Sequence, residues 1–162
     1  MTTRPDVGDT IPDIALETPE GGSVQPSDYR GHPLVLFFYP KDDTPGCTIE
    51  NKDFSALAGE FEKAGVALLG VSKDPPKKHS KFAAKYGLVA PLASDRAEDG
   101  LADALGIWIE KSMYGRAYMG MERTTYLVDP EGRIAQVWRK VKVKGHAEAV
   151  LAAANATFPK RD

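Results

Sequence analysis

The sequence predicts an α/β domain on a central mixed sheet flanked by helices, on three observations. Two runs, 34–39 (Leu-Val-Leu-Phe-Phe-Tyr) and 66–72 (Val-Ala-Leu-Leu-Gly-Val-Ser), are almost unbroken in apolar residues, as strands buried on both faces are. Each run is followed by a segment whose apolar residues recur with a helical period. The chain then closes on two more strand-like runs and a helix.

In order along the chain, residues 1–12 read as a polar lead-in with two prolines. A short strand over 13–18, a turn at Glu20-Gly21-Gly22-Ser23 and a return over 23–26 predict an N-terminal β-hairpin. Residues 27–31 form a loop or one helical turn. After the strand over 34–39, a helix begins near Thr44. Thr44 suits the N-cap, and Pro45 suits the first helical position, where its missing N–H costs nothing. Phe54, Leu57, Ala58 and Phe61 give this helix one apolar face, and Gly65 ends it. The strand over 66–72 is broken by Asp74-Pro75-Pro76. The next helix has His79, Phe82, Ala83 and Tyr86 on one face and stops at Gly87. A short strand over 90–94 and a short helix over 99–105 follow. Residues 107–122 read as a long connection. A strand over 123–128, a turn at 129–132 and a strand over 134–138 form a hairpin. A last helix over 145–156 turns Ala147, Val150, Leu151 and Ala154 inward. The order is a hairpin, then βαβα, then ββα, and that last part resembles the ending of a thioredoxin-like domain.

Composition bounds the function. The 162 residues are expected to form one domain, 1–162, large enough for a proper core. Hydrophobic content of 42% and charged content of 27% are ordinary for a soluble globular protein. A formal net charge of -2 argues against a general nucleic-acid binder. No apolar run reaches the ~18 residues of a membrane span. The N-terminal residues lack the apolar core of a signal peptide, so the expected location is cytoplasmic. No internal repeat or low-complexity segment is present.

The chain has one cysteine, Cys47, in the first turn of the helix that begins near Thr44. One cysteine rules out an intramolecular disulfide, a thiolate-rich metal site and a C-x-x-C motif. A buried, inert core cysteine is one reading of it, since a free Cys packs as a small hydrophobe. The other is a nucleophile, which must act as thiolate. The helix N-terminus offers partial positive charge and free N–H donors. Thr44, three residues earlier, can turn its hydroxyl toward the sulfur. Pro40 and Pro45 fix the loop without adding competing donors, although either prolines' role can also be mere loop punctuation. An arginine from elsewhere would complete the site by holding the thiolate.

Pro40-x-x-x-Thr44-x-x-Cys47 resembles the active-site motif of the peroxiredoxins. Phe38-Tyr39-Pro40-Lys41-Asp42 and Pro45-Gly46-Cys47-Thr48-Ile49-Glu50 are similar to the PrxQ, or bacterioferritin comigratory protein, branch. The similarity continues through 70–72, 81–87, 91–95, 113–115, 120–127 and 138–146, nearly the whole chain. The resemblance implies a thioredoxin-like fold and a thiol-dependent peroxidase with antioxidant function, needing no cofactor or metal. Cys47 would be the peroxidatic cysteine, oxidised by hydrogen peroxide or an organic hydroperoxide to sulfenic acid. Thr44, Gly46, Cys47 and Arg123 would bind the peroxide, and Pro40 would shield the sulfur. Arg123 would orient substrate, with Glu50 in support. Without the family, Arg123 reads as a surface strand residue paired with Glu122 or Glu50.

The chain departs from many PrxQ proteins at two positions. Lys52 and Ala83 stand where resolving cysteines are found, so it resembles the one-cysteine variants. An external thiol, from thioredoxin, glutaredoxin or glutathione, would then reduce Cys47. The resemblance further implies a monomer or weak homodimer.

Other readings compete. A peroxide-sensing thiol relay without efficient turnover would use the same sulfur. A Cys/His hydrolase would need a histidine base beside the thiol. His32, His79 and His146 show no ligand spacing and read as structural or exposed. The charged run 139–144 reads as a strand end protected from edge pairing, rather than a nucleic-acid patch. Trp108, Tyr114, Tyr118, Met119 and Met121 either rim a substrate pocket or seal the core.

Overall fold

Continuous apolar character puts the third strand in the interior of the sheet, with a neighbour on each side. A computed structural model describes residues 4–159, so the first three residues of the lead-in and the last three of the chain lie outside the described residues. In chain order the elements are β1 (Leu16–Glu17), β2 (Ser23–Val24), a 3₁₀ turn (Pro26–Tyr29), β3 (Leu34–Phe38), α1 (Pro45–Ala56), α2 (Ala58–Lys63) and β4 (Ala67–Ser72). There follow α3 (Pro76–Tyr86), β5 (Leu92–Ser94), α4 (Leu101–Ala104), β6 (Trp108–Met113), β7 (Arg116–Met121), β8 (Thr124–Val128), β9 (Ile134–Trp138) and α5 (His146–Thr157). Seven strands form one sheet in the order β2-β1-β5-β4-β3-β8-β9. β3 runs parallel to β4 and antiparallel to β8, and β4 runs parallel to β5. This is the expected mixed, thioredoxin-like arrangement with its N-terminal hairpin. Each strand of that hairpin is only two residues long.

Alternation along β3 divides two cores. Leu34, Leu36 and Phe38 face one side, with Leu101, Leu105, Ile107, Tyr126 and Ile134. Val35, Phe37 and Tyr39 face the other, with Phe54, Phe61, Phe82, Val150 and Cys47. The five residues of β3 are at most 1% exposed, and burying each such side chain is worth about 1.5–3 kcal/mol. Phe37 stacks on Phe54 with centroids 4.3 Å apart. Gly70 makes room for it, because a Cβ there would lie 2.7 Å from the Phe37 ring. That packing seats α1, and with it Cys47, over the end of β3.

Four expectations need correction. The helix after Thr44 is two helices, broken at Leu57, where ψ rises to 2°. Leu57 N–H reaches back to the carbonyls of both Asp53 and Phe54, tightening the turn. Phe54 and Phe61 still share one core, so the apolar period ran through the break. Residues 107–122 are not an irregular connection. They contain the hairpin β6–β7, turning at Tyr114 and Gly115, whose φ values of 52° and 76° suit a primed two-residue turn. The charged run after Trp138 is not a strand end. Lys140 takes φ 50°, and the chain folds back so that Val141 N–H donates to Arg123 O at 3.0 Å. The lead-in is not merely polar cover, since Ile11 is 1% exposed and Arg4 bonds Glu122 at 2.7 Å.

Candidate active site

Thr44 occupies the N-cap of α1 in extended conformation and Pro45 its first helical position, as expected. The ladder starts with Thr48 N–H donating to Thr44 O at 2.8 Å. Pro45 has no N–H. The Gly46 and Cys47 amides precede the first bond and find no acceptor among the described residues. Two unused donors and the helix dipole therefore favour negative charge at the Cys47 sulfur. Cys47 itself is 1% exposed.

The second half of the site comes from the other side of β3. Arg123 immediately precedes β8, one residue short of the strand expected to carry it. Its Nη2 donates to Cys47 Sγ at 3.3 Å, and its Nη1 donates to Glu50 Oε1 at 2.6 Å. Glu50 lies one helical turn after Cys47 on α1, so a single guanidinium spans both. Glu122, the alternative partner for Arg123, pairs with Arg4 instead. Gly46 permits the close approach, since a Cβ there would lie 3.2 Å from Arg123 Nη2.

The electrostatics follow from this crowding. Burial raises the Glu50 carboxyl to about 7, against the pull of Arg123. Its Oε2 has no hydrogen-bond partner among the described residues. Burial works against the Arg123 charge as well, but Glu50 and Cys47 outweigh it and hold the guanidinium above its usual range. The short Arg123–Glu50 contact favours the charged pair above neutral pH, and burial lets the carboxyl take a proton just below it. Lys111 brings a further cation. Its Nζ donates to Met121 O at 2.5 Å, and burial and then Arg123 lower its pKa.

Thr44 differs from expectation. Its hydroxyl donates to Lys41 O at 2.8 Å and closes the loop as a turn, rather than facing the sulfur. Pro40 is half-buried at the head of the same loop. None of the histidines hydrogen-bonds the sulfur, among the described residues. His146 is buried, with Nε2 2.8 Å from Thr125 Oγ1 and its ring edge-on to Phe54 and Trp138. Burial, then the Arg123 charge, lowers its pKa to about 4, so it is neutral at pH 7. A Cys/His hydrolase thus lacks its base, and the group at the thiol is an arginine.

The sequence reading sets His79 on one face of its helix but gives neither it nor Asp42 a part in the site. They are far apart in the chain, yet His79 is buried behind the Pro40–Thr44 loop against Asp42, a buried residue of that loop.

Comparison with known proteins shows the family. The AhpC/TSA family matches residues 7–137. The chain is 51% identical to peroxiredoxin Bcp of Xanthomonas campestris over 144 residues, 89% of each chain. It is 44% identical to peroxiredoxin Bcp of Bacillus subtilis over 146 residues, 90% of this chain and 92% of that one. A solved structure of the Xanthomonas campestris bacterioferritin comigratory protein, described for its alkyl peroxide reduction activity, superposes with a TM-score of 0.85. It is 46% identical and covers 93% of this chain and 99% of its own. With sequence and fold in agreement over most of its length, the chain belongs to the AhpC/TSA family and, within it, to the Bcp/PrxQ peroxiredoxins.

Proposed function

We propose that this peroxiredoxin reduces hydrogen peroxide and organic hydroperoxides through Cys47 and is returned to the thiol by a second molecule. The observation that carries this reading is the Arg123 Nη2–Cys47 Sγ contact of 3.3 Å at a helix N-terminus with free amides. The thiolate attacks one peroxide oxygen, an S–O bond forms and the O–O bond breaks. The departing oxygen takes a proton and leaves as water or alcohol, and Cys47 becomes sulfenic acid. Arg123 and the Gly46 and Cys47 amides face the region where negative charge moves from sulfur to the leaving oxygen. Thr44 joins them by rotating its hydroxyl from Lys41 O to the peroxide. Pro40 closes the loop over the sulfur, and Glu50 fixes the guanidinium. Alkyl hydroperoxides are included because the solved Xanthomonas campestris relative is described for reducing them.

The sequence holds no second thiol, and Lys52 and Ala83 stand where the family resemblance would place a resolving cysteine. An external thiol therefore attacks the sulfenic sulfur, releasing water and leaving a mixed disulfide, and a second thiol frees Cys47. Thioredoxin, glutaredoxin and glutathione are the donors to compare. The protein works as a monomer or weak homodimer in the cytoplasm. Among the described residues, no helix is long and apolar enough to cross a membrane.

The test is stopped-flow reduction of hydrogen peroxide and of an alkyl hydroperoxide by wild type and Cys47→Ser, followed by turnover with each thiol donor. Wild type reacts, Cys47→Ser does not, and mass spectrometry finds the mixed disulfide on Cys47. Equal rates in the two proteins overturn the reading. Fast oxidation with no turnover by any donor assigns the protein to peroxide sensing instead.

A further inference from the structure

The loop that carries the chain from β3 to Cys47 is gripped from behind by α3 and β4. Asp42 is 2% exposed and His79, on α3, is 0% exposed. Asp42 Oδ1 accepts from the Tyr39 hydroxyl at 2.5 Å. Asp42 Oδ2 lies 2.7 Å from His79 Nδ1, a close contact without a directed hydrogen bond. The Asp42 N–H donates to Asp74 Oδ2 at 2.7 Å, and that oxygen also accepts from Ser72 Oγ at 2.6 Å. His79 is fixed from its far side, with Nε2 3.0 Å from Ala93 O. A carbonyl oxygen only accepts, so Nε2 donates to Ala93 O, and Nδ1 faces the Asp42 carboxyl group with the Tyr39 hydroxyl 3.5 Å away.

The next residue is held as well. Asp43 has φ 61°, a left-handed conformation uncommon for a residue other than glycine. Its carboxylate accepts from Tyr86 Oη at 2.5 Å and from Lys85 Nζ at 2.9 Å, both at the end of α3. Two successive loop residues are thus tied to one helix, and the inner tie buries a carboxylate. Burying such a group is costly unless its partners are well placed. A buried polar network in which Asp42 Oδ1 and the Asp42 N–H are both partnered has few alternative arrangements and so favours a single loop conformation. None of these groups touches the sulfur.

We propose that Asp42, His79 and Tyr39 form a clamp that positions the Pro40–Thr44 loop for the chemistry at Cys47. This rests on the reading of Cys47 as the peroxidatic residue. The three are positioning residues. They act through the backbone of the loop, which sets Thr44 and the first turn of α1 against Arg123. Loosening the clamp moves the donors away from the sulfur and at the same time uncovers it. Small peroxides then react more slowly, while bulky thiol reagents, kept out of the closed site, react faster. A residue that only stabilises the fold does not produce those opposite changes.

The experiment uses Tyr39→Phe, Asp42→Asn, His79→Gln and the Asp42→Asn/His79→Gln double variant. Ile134→Val, in the core on the opposite face of the sheet, serves as a control for lost stability. Two rates are read at a temperature where every protein is folded: single-turnover reaction with hydrogen peroxide, and labelling of Cys47 by dithiobis-nitrobenzoate. Asp42→Asn and His79→Gln should each slow peroxide about tenfold or more and speed labelling by a similar factor, as loss of preorganisation does. The double variant should match the worse single variant within about threefold, because the residues act as one unit. Tyr39→Phe should shift both rates in the same senses by about threefold, and Ile134→Val should leave both within about twofold. If Asp42→Asn and His79→Gln do not fold, Tyr39→Phe decides, since it removes a single oxygen. Peroxide and labelling rates both near wild type, or both moving in the same direction, overturn the clamp. A wild-type protein unreactive toward peroxide instead overturns the peroxidase reading, and labelling still reports on the clamp.

Discussion

The Pro40–Cys47 loop and the β6–β7 hairpin both border Arg123, and they are held in opposite ways. The loop is tied to α3 and β4 through buried carboxylates, and it leads into a helix whose first turn meets Arg123. The hairpin pairs only with itself. Met113, Tyr114, Tyr118 and Met119 are 57%, 98%, 45% and 50% exposed. Of the aromatic and Met residues singled out from sequence, Met121 seals the core at 1% exposure and Trp108 is half-buried. The comparison teaches where substitutions should matter: a residue on the loop side is constrained by its neighbours, whereas a hairpin tip has little to lose.

Arg123→Ala is the strongest way to test that contrast. It should slow peroxide reduction about 10²–10³-fold, the usual cost of removing a preorganised charged donor. Stability at pH 6 should fall much less, because Glu50, raised to about 7, is already largely protonated at that pH and leaves no bare buried charge when its partner is removed. Arg123→Lys should recover little, since a single ammonium replaces a fork that spans Glu50 and the sulfur. Stopped-flow rates beside thermal unfolding separate the two effects, and a stability loss larger than the rate loss makes Arg123 structural.

The pH dependence of stability gives the next largest effect, and two groups at the site oppose each other. The folded pKa of Glu50, about 7, lies above its ordinary 4.5. Its contribution is full below 4.5 and is lost as pH rises to 7. The folded pKa of His146, about 4, lies below its ordinary 6.5. Its contribution is full above 6.5 and is lost as pH falls to 4. Each amounts to about 3 kcal/mol at full extent. In wild type they offset one another over the shared window. Glu50→Gln should expose the His146 slope, with stability falling on acidification. His146→Gln should expose the Glu50 slope, with stability rising. Denaturant unfolding across that window checks both, and slopes of the same sign contradict the assignment.

Smaller effects complete the series. Gly46→Ala should displace the guanidinium by a few tenths of an ångström, slowing peroxide reduction roughly threefold to tenfold without preventing folding. Tyr118→Ala, on the hairpin, should change the peroxide rate less than twofold and stability by about 0.5 kcal/mol or less. A Tyr118→Ala effect as large as that of Gly46→Ala, measured in the same assay, would erase the difference between the two regions.

Legibility followed physical cause. β3 and β4 were readable because burial on both faces forces continuous apolar runs. α3 was readable because Pro76 starts it and Gly87, at φ 63°, stops it. The hairpin over 108–121 was not readable, because its faces are largely exposed and carry no apolar alternation. Leu57 was hidden for the opposite reason, since the apolar period passes unbroken over the kink. At the site, Cys47, Pro45 and the helix start follow from local rules, whereas Arg123 came only from family resemblance. The Asp42–His79 contact joins residues distant in sequence, and no local pattern announces such a pair. The direction of the Thr44 hydroxyl is likewise a choice between nearby acceptors, made here in favour of Lys41 O.

The single thiol of the chain has a consequence for timing. A resolving thiol tethered in the same chain meets its partner at an effective concentration of roughly millimolar, whatever surrounds the protein. A thiol arriving from solution meets it only at its own concentration. On the proposed one-cysteine cycle, the oxidised lifetime of Cys47 is inversely proportional to the external thiol supply, so its steady-state oxidation weighs peroxide flux against the reducing capacity around it.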